Sequence, residues 1–193
     1  MAEHPSLQER YAPRAVCFGC GPANPDGLHI RSFVAGEPGA PAWSAAEAGA
    51  RVPTAPDQPE TDTREAAGAS DVAAALVAEW LPQPRFEAFE GALNGGVIGT
   101  LLDCHSNWAA TFALMRRSGV DRIPSTVTAD YAVRMRRPTP TRHGPLHLRA
   151  RVVELRDDRA VVESTIEVDG ETCVSFRGTF VAVGPGHPAY GRW

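Results

Sequence analysis

From Gly95 to Arg117 apolar residues recur at helical spacing. Val97, Leu101, Trp108, Phe112 and Met115 make one line, and Ile98, Leu102, Ala109 and Ala113 make a second beside it. Two adjoining stripes predict a helix covered on most sides rather than one lying on a surface. Arg116 and Arg117 complement the C-terminal end of its dipole, and Gly119 suits a stop. After Pro124 the period changes to two. Segments 126–136, 146–156, 160–168 and 172–183 predict four strands. Asp169-Gly170 reads as a hairpin turn and Arg156-Asp157-Asp158-Arg159 as another. Strands joined by such short turns run antiparallel. One buried helix with a meandering sheet wrapped around it is an α+β domain.

The rest of the chain carries weaker patterns. Residues 1–20 read as irregular, and Gly21-Pro22-Ala23-Asn24-Pro25-Asp26-Gly27 as a turn-rich loop. Leu28 to Val34 alternates and predicts a short strand. From 35 to 69, Pro38, Pro41, Pro53, Pro56 and Pro59 sit among Gly, Ala, Asp and Glu with no surviving period. That stretch reads as a mobile surface insertion, with one helical turn at Ala46–Ala50. Asp71 to Trp80 fits helix by its alanines and strand by its length and the prolines that follow.

Composition narrows the function classes. The 193 residues suit a single domain, 1–193. A net charge of −4 argues against a nucleic-acid binder, which would carry a basic field. No run is long and apolar enough to span a bilayer, and no basic-then-apolar leader is visible, so the cytoplasm is the expected location. Cys17-Phe18-Gly19-Cys20 has the spacing of half a zinc site. No second Cys or His pair at ligand spacing follows, so the four cysteines read as buried free thiols and no metal or cofactor is expected. A redox pair at Cys17 and Cys20 lacks the strand-then-helix context of such motifs.

The densest chemistry lies at Asn94-Gly95-Gly96, with Asp103 seven residues after the second glycine. Backbone N–H groups at a helix start are ready donors to an anion. An acid held two turns inside an apolar helix needs partners or a task. Together they suggest an oxyanion site plus a base or nucleophile.

Several segments resemble the hotdog-fold thioesterases of the phenylacetate-pathway type. They are Cys17-Phe18-Gly19-Cys20-Gly21-Pro22-Ala23-Asn24-Pro25-Asp26-Gly27-Leu28, the Gly-Gly helix start with Asp103, Trp108-Ala109-Ala110, and Thr126-Val127-Thr128-Ala129-Asp130-Tyr131 followed by Arg137-Pro138. The resemblance implies a long helix wrapped by a five- or six-stranded antiparallel sheet, a dimer or dimer of dimers, and hydrolysis of acyl-coenzyme A thioesters. It implies that Gly95 N–H polarises the thioester carbonyl, that Asp103 is base or nucleophile, and that Thr128 helps orient water. Two positions depart from the family pattern. Asn94 stands where a histidine is usual; an amide can donate a hydrogen bond but cannot titrate. Phe86 and Ala88 occupy the stretch where a polar loop residue is common. Asp103 then carries the acid–base work with less help.

Helix geometry adds an argument of its own. Gly95 and Asp103 are eight residues apart, so their backbones lie about 12 Å apart along the axis. A carbonyl held by Gly95 N–H is out of reach of Asp103 of the same chain. The two groups can share a substrate only if they come from different chains, which predicts two equivalent sites in a two-fold dimer.

Other residues carry paired readings. His105 points to a different face from Asp103 and reads as a core or interface histidine. Asn107 shares the face of Asp103, where it would bond the carboxylate, bind the acyl group or serve the fold. Arg136 and Arg137, in a basic stretch from Arg134 to His143, suit the phosphates of coenzyme A or a charged strand edge. Gly96 either lines the substrate site or allows close packing.

The expectation is therefore hydrolysis of acyl-CoA esters with small, medium or aromatic acyl groups, by a homo-oligomer that binds neither nucleic acid nor membrane. The rival readings are an acyl-thioester binding protein without catalysis and, ranked last, a hydratase or dehydratase. The absence of a Gly-x-Ser-x-Gly elbow argues against a serine α/β-hydrolase.

Overall fold

The long helix is present as expected. The computed structural model describes residues 4–47 and 75–191. Within them the elements are α1 (Leu7–Tyr11), β1 (Phe33–Val34), β2 (Leu76–Trp80), β3 (Glu87–Phe89), β4 (Ala92–Leu93), α2 (Gly95–Ser118), β5 (Thr126–Met135), β6 (Leu146–Leu155), β7 (Arg159–Val168) and β8 (Glu171–Ala182). Helix α2 ends where Gly119 takes a left-handed φ of 68° and donates its N–H to the carbonyl of Arg116. No helix among the described residues is long and apolar enough to cross a membrane.

Six strands form one antiparallel sheet in the order β1-β2-β6-β7-β8-β5, and β3 and β4 pair separately. The sheet curls around α2, which packs on β5, β6, β7 and β8. Alternate residues supply the lining: Leu146, Leu148 and Ala150 from β6, Ala160, Val162 and Ile166 from β7, and Val174, Phe176 and Phe180 from β8 are all buried. Asp169 and Gly170, both at positive φ, make the two-residue turn between β7 and β8. In the core Ser106 and Ser164 spend their hydroxyls on each other at 2.8 Å.

Helix α2 is buried almost continuously from Ile98 to Met115, and the breaks in that run are Thr100 and Asp103. With the exposed Gly96 they lie four and three residues apart, on one stripe. The sheet and the N-terminal segment together therefore cover the helix, least completely along the stripe that carries the aspartate.

A bulge in β5 determines what surrounds that stripe. Pairing with β8 shifts register between Thr128 and Asp130, which leaves Ala129 unpaired. Strict alternation from Thr126 and Thr128 would turn Asp130, Ala132 and Arg134 inward. The extra residue reverses the phase, as bulges do. Tyr131, Val133 and Met135 face the helix instead. The Tyr131 ring stacks on Phe176 at 5.2 Å, Val133 joins the core, and the Met135 methyl lies 3.5 Å from where a Gly95 side chain would begin.

Four sequence expectations need correction or completion. Residues 7–11, read as irregular, form α1, because Ser6 and Glu9 make a reciprocal capping box. Of the strand expected over 28–34, Phe33–Val34 alone pairs; His29 sits at a φ of 53°, which breaks the extended run. Of the stretch read as a mobile insertion, residues 35–47 are described. A 3-10 turn at Ala42–Glu47 lies on the outer face of the sheet, where Trp43 stacks on His147 at 4.5 Å and under the Arg149 guanidinium at 4.9 Å. The remainder of the expected insertion, 48–69, lies outside the described residues. The ambiguous segment 71–80 is a strand from Leu76 onward.

Candidate active site

The start of α2 is fixed from both sides. Asn94 donates its N–H to the carbonyl of Phe86 at 2.9 Å, and the Phe86 ring packs on Trp80. The Asn94 side chain caps the helix by accepting the Gly96 N–H at 2.8 Å. Gly96 N–H is thereby taken. Gly95 N–H has no acceptor among the described residues, and Gly95 is exposed at the positive end of the 24-residue helix. The amide that sequence reasoning singled out is thus the one left free.

Asp103 lies two turns further on, half-buried. Its Oδ1 accepts the Thr128 hydroxyl at 2.7 Å, and no hydrogen bond reaches Oδ2 among the described residues. Burial pushes the carboxyl pKa up, the Thr128 hydrogen bond pulls it back, and negative charge on Cys17 raises it further. The outcome is a carboxylate more basic than usual with one open oxygen. The structure brings Asp103 and Thr128 together. It keeps both away from Gly95 of the same chain, because the helix between them is unbroken.

The other singled-out residues fall into two groups. Asn107, nearly fully buried, accepts the Thr126 hydroxyl at 2.6 Å, and the Thr111 hydroxyl gives its single proton either to the Thr126 oxygen or to Asn107 at 3.2 Å. Its oxygen is committed to joining α2 to β5. Arg136 and Arg137 follow directly after β5, where both backbone amides converge on the carbonyl of Cys173 and alternation stops. Arg136 reaches Ser175 at 3.2 Å, and Arg137 pairs with Glu171. Both are exposed, one and two residues beyond Met135, which packs towards Gly95.

His105 is fully buried away from Asp103, as its helical offset predicts. Leu76 O can only accept, so His105 Nε2 carries the proton and donates across 3.2 Å; Nδ1 then accepts the Ser32 hydroxyl at 2.9 Å. Gln8 closes the network with hydrogen bonds to the Ser32 hydroxyl and from its N–H. Burial drives the His105 pKa down to about 4, so the ring is neutral.

Sequence spacing missed one grouping. Cys104, beside Asp103 on α2, meets Cys17 and Cys20 of the N-terminal loop. Hydrogen bonds from Cys104 and then Cys20 lower the Cys17 pKa, while Cys104 is raised by hydrogen bonding to Cys17 and by burial. No ligand spacing could reveal this, since the third cysteine lies 84 residues after the pair in the 193-residue chain.

No protein-family model and no curated relative matches the chain. Solved structures do. A thioesterase superfamily protein aligns over 87% of this chain and 63% of its own length, at 20% identity and a TM-score of 0.56. A thioesterase from Haemophilus influenzae aligns over 60% of this chain and 76% of its own, at 19% identity and a TM-score of 0.50. A thioesterase superfamily protein from Shewanella loihica PV-4 aligns over 57% and 84%, at 27% identity and a TM-score of 0.48. With one long helix wrapped by a six-stranded antiparallel sheet, the chain has the hotdog fold.

Proposed function

We propose that the chain hydrolyses acyl-coenzyme A thioesters with small, medium or aromatic acyl groups, at two equivalent sites formed between two copies. The observation that carries this reading is the presence on α2 of both a free helix-start amide at Gly95 and a half-buried carboxylate at Asp103, the latter bonded by Thr128. Named thioesterases share the fold.

A thioester is already activated, because sulfur donates poorly into the carbonyl and thiolate leaves readily. Asp103 takes a proton from water, and the water oxygen attacks the acyl carbon. Negative charge develops on the carbonyl oxygen, where Gly95 N–H of the partner subunit receives it. One such donor is worth about 3 kcal/mol of barrier. The tetrahedral species then expels the coenzyme A thiolate. Thr128 holds Asp103 so that its free oxygen faces the water. Arg136 and Arg137 meet the phosphates of coenzyme A, Arg137 giving up Glu171 to do so.

Two features support pairing of two copies. β5 is a ten-residue edge strand with no neighbour on its outer side among the described residues, an invitation to further pairing. Tyr131 and Met135, at 50% and 52% exposure, leave apolar surface beside the least covered stripe of α2.

Subunit complementation tests the shared site. Asp103→Asn and Gly95→Pro proteins, each inactive, are mixed, dissociated and reassociated, and free thiol release is measured. Hybrid dimers hold one site with both groups intact, so activity should return to roughly a quarter of wild type. Activity no higher than that of either parent would show that the two groups do not work across subunits.

One observation favours a second reading. Asn94 uses its side chain oxygen to cap Gly96, so it contributes no titrating group. A protein that binds acyl thioesters without cleaving them fits that loss, and tight binding of CoA esters with no thiol release would establish it.

A further inference from the structure

Cys17 and Cys20 close a tight turn, and Cys104 meets them from α2. All three sulfurs lie within 4.8 Å of one another, and those of Cys17 and Cys104 are 3.7 Å apart. Two thiolates on one tetrahedral zinc, each about 2.3 Å from the metal, stand about 3.8 Å apart. The turn is shaped for this approach. A side chain at Gly19 would begin 2.3 Å from the Cys104 sulfur, so only glycine lets the loop come so close to the helix. Trp108, one turn after Cys104, points its indole N–H at the Cys20 sulfur across 3.3 Å. A fixed outer donor of this kind steadies a ligating thiolate. Cys20 and Cys104 are buried, while Cys17 is partly exposed and offers a way in.

We propose that Cys17, Cys20 and Cys104 bind one zinc(II) ion as three thiolates, stapling the N-terminal loop to α2 one residue after Asp103. Three soft sulfur donors select a thiophilic d10 cation over magnesium or calcium. Binding exchanges three thiol protons for the ion with no change of oxidation state. The fourth tetrahedral position falls to water on the Cys17 side. Three thiolates outweigh the two charges of zinc, so the ion is a structural clamp and not an electrophile for the thioester. The site stands whether or not the chain is a hydrolase.

Cobalt(II) titration of the full-length, reduced, chelator-stripped protein provides the test. One equivalent should saturate, with thiolate-to-cobalt charge transfer and the intense visible bands of a tetrahedral site, and zinc should then bleach them. Cys104→Ser and Cys20→Ser should each abolish the charge-transfer signal, while Cys173→Ser keeps it. If a serine variant fails to fold by circular dichroism, thiol reactivity of the wild type decides, because zinc should shield the partly exposed Cys17 from a disulfide reagent. A weak octahedral spectrum, an unchanged titration in folded Cys104→Ser, or equal thiol reactivity with and without zinc would overturn the proposal.

Discussion

Thr128 Oγ donates to Asp103 Oδ1 at 2.7 Å, tying the edge strand β5 to the central helix where that helix is least covered. A hydrogen bond to a charged group is worth about 1.5–3 kcal/mol, and replacing the hydroxyl by a methyl leaves the carboxylate with no fixed partner. Thr128→Val should therefore lower kcat/KM for thioester hydrolysis by about tenfold to a hundredfold. Thr128→Ser, which keeps the hydroxyl, should restore most of it. Asp103→Asn still accepts the Thr128 bond and should fold normally, with thiol release at background. Undiminished turnover in folded Asp103→Asn would remove Asp103 from the reaction.

Gly95→Pro isolates the backbone amide. Proline is favoured at the first helical position because its missing N–H has no partner inside the helix. Asn94, at φ −64° and ψ 135°, already has the extended conformation required before proline. The nearest side-chain atom to a new Cβ is the Met135 methyl at 3.5 Å, an ordinary contact. The variant should thus keep the wild-type melting temperature while turnover drops by about a hundredfold or more, the worth of one oxyanion donor. A folded Gly95→Pro protein with normal kcat would show that this amide does not meet the substrate.

The bulge at Ala129 makes a prediction about stability. Deleting that residue restores strict alternation, so Tyr131, Val133 and Met135 swap faces with Asp130, Ala132 and Arg134. Aspartate and arginine would then point at the core, a large penalty for unpaired charge. The deletion should yield little soluble protein, whereas Ala129→Val, which keeps the extra residue, should stay within about 1 kcal/mol of wild type by urea titration.

Periodicity carried much of this structure. The double stripe on α2 and the alternation after Pro124 are statements about burial, and burial is what the folded chain shows. The Asp169-Gly170 turn was legible because two positive φ angles demand such residues. The N-terminal half was less readable. Its backbone is held by single contacts, such as the Ser6–Glu9 cap and Trp43 on His147, which leave no repeating trace. At the site, Asn94, Gly95 and Asp103 could be read from one helix. The nearness of Thr128 to Asp103 came from the family resemblance, and the bulge that reverses β5 after it has no mark in the sequence. The meeting of Cys104 with Cys17 is a product of tertiary packing alone, and so is the partnering of His105.

His105 should make the protein acid-labile in a defined window. Buried and neutral, it has a pKa lowered to about 4 from an ordinary 6.5. Above pH 6.5 the ring is neutral in both the folded and unfolded chain, and it adds no pH dependence. As pH falls from 6.5 towards 4, the unfolded chain takes up a proton that the folded chain refuses, so stability drops. Below 4 both forms bind the proton and the loss levels off. A shift of this size corresponds to about 3 kcal/mol across the window. Urea denaturation midpoints between pH 7.5 and 4, run on wild type and His105→Gln, provide the comparison. Gln can still accept from Ser32 and donate to Leu76, so the variant should start less stable from imperfect packing but lose markedly less than wild type on acidification. Parallel declines in the two proteins would mean that His105 titrates normally and that the Gln8–Ser32–His105 network is not sealed from water.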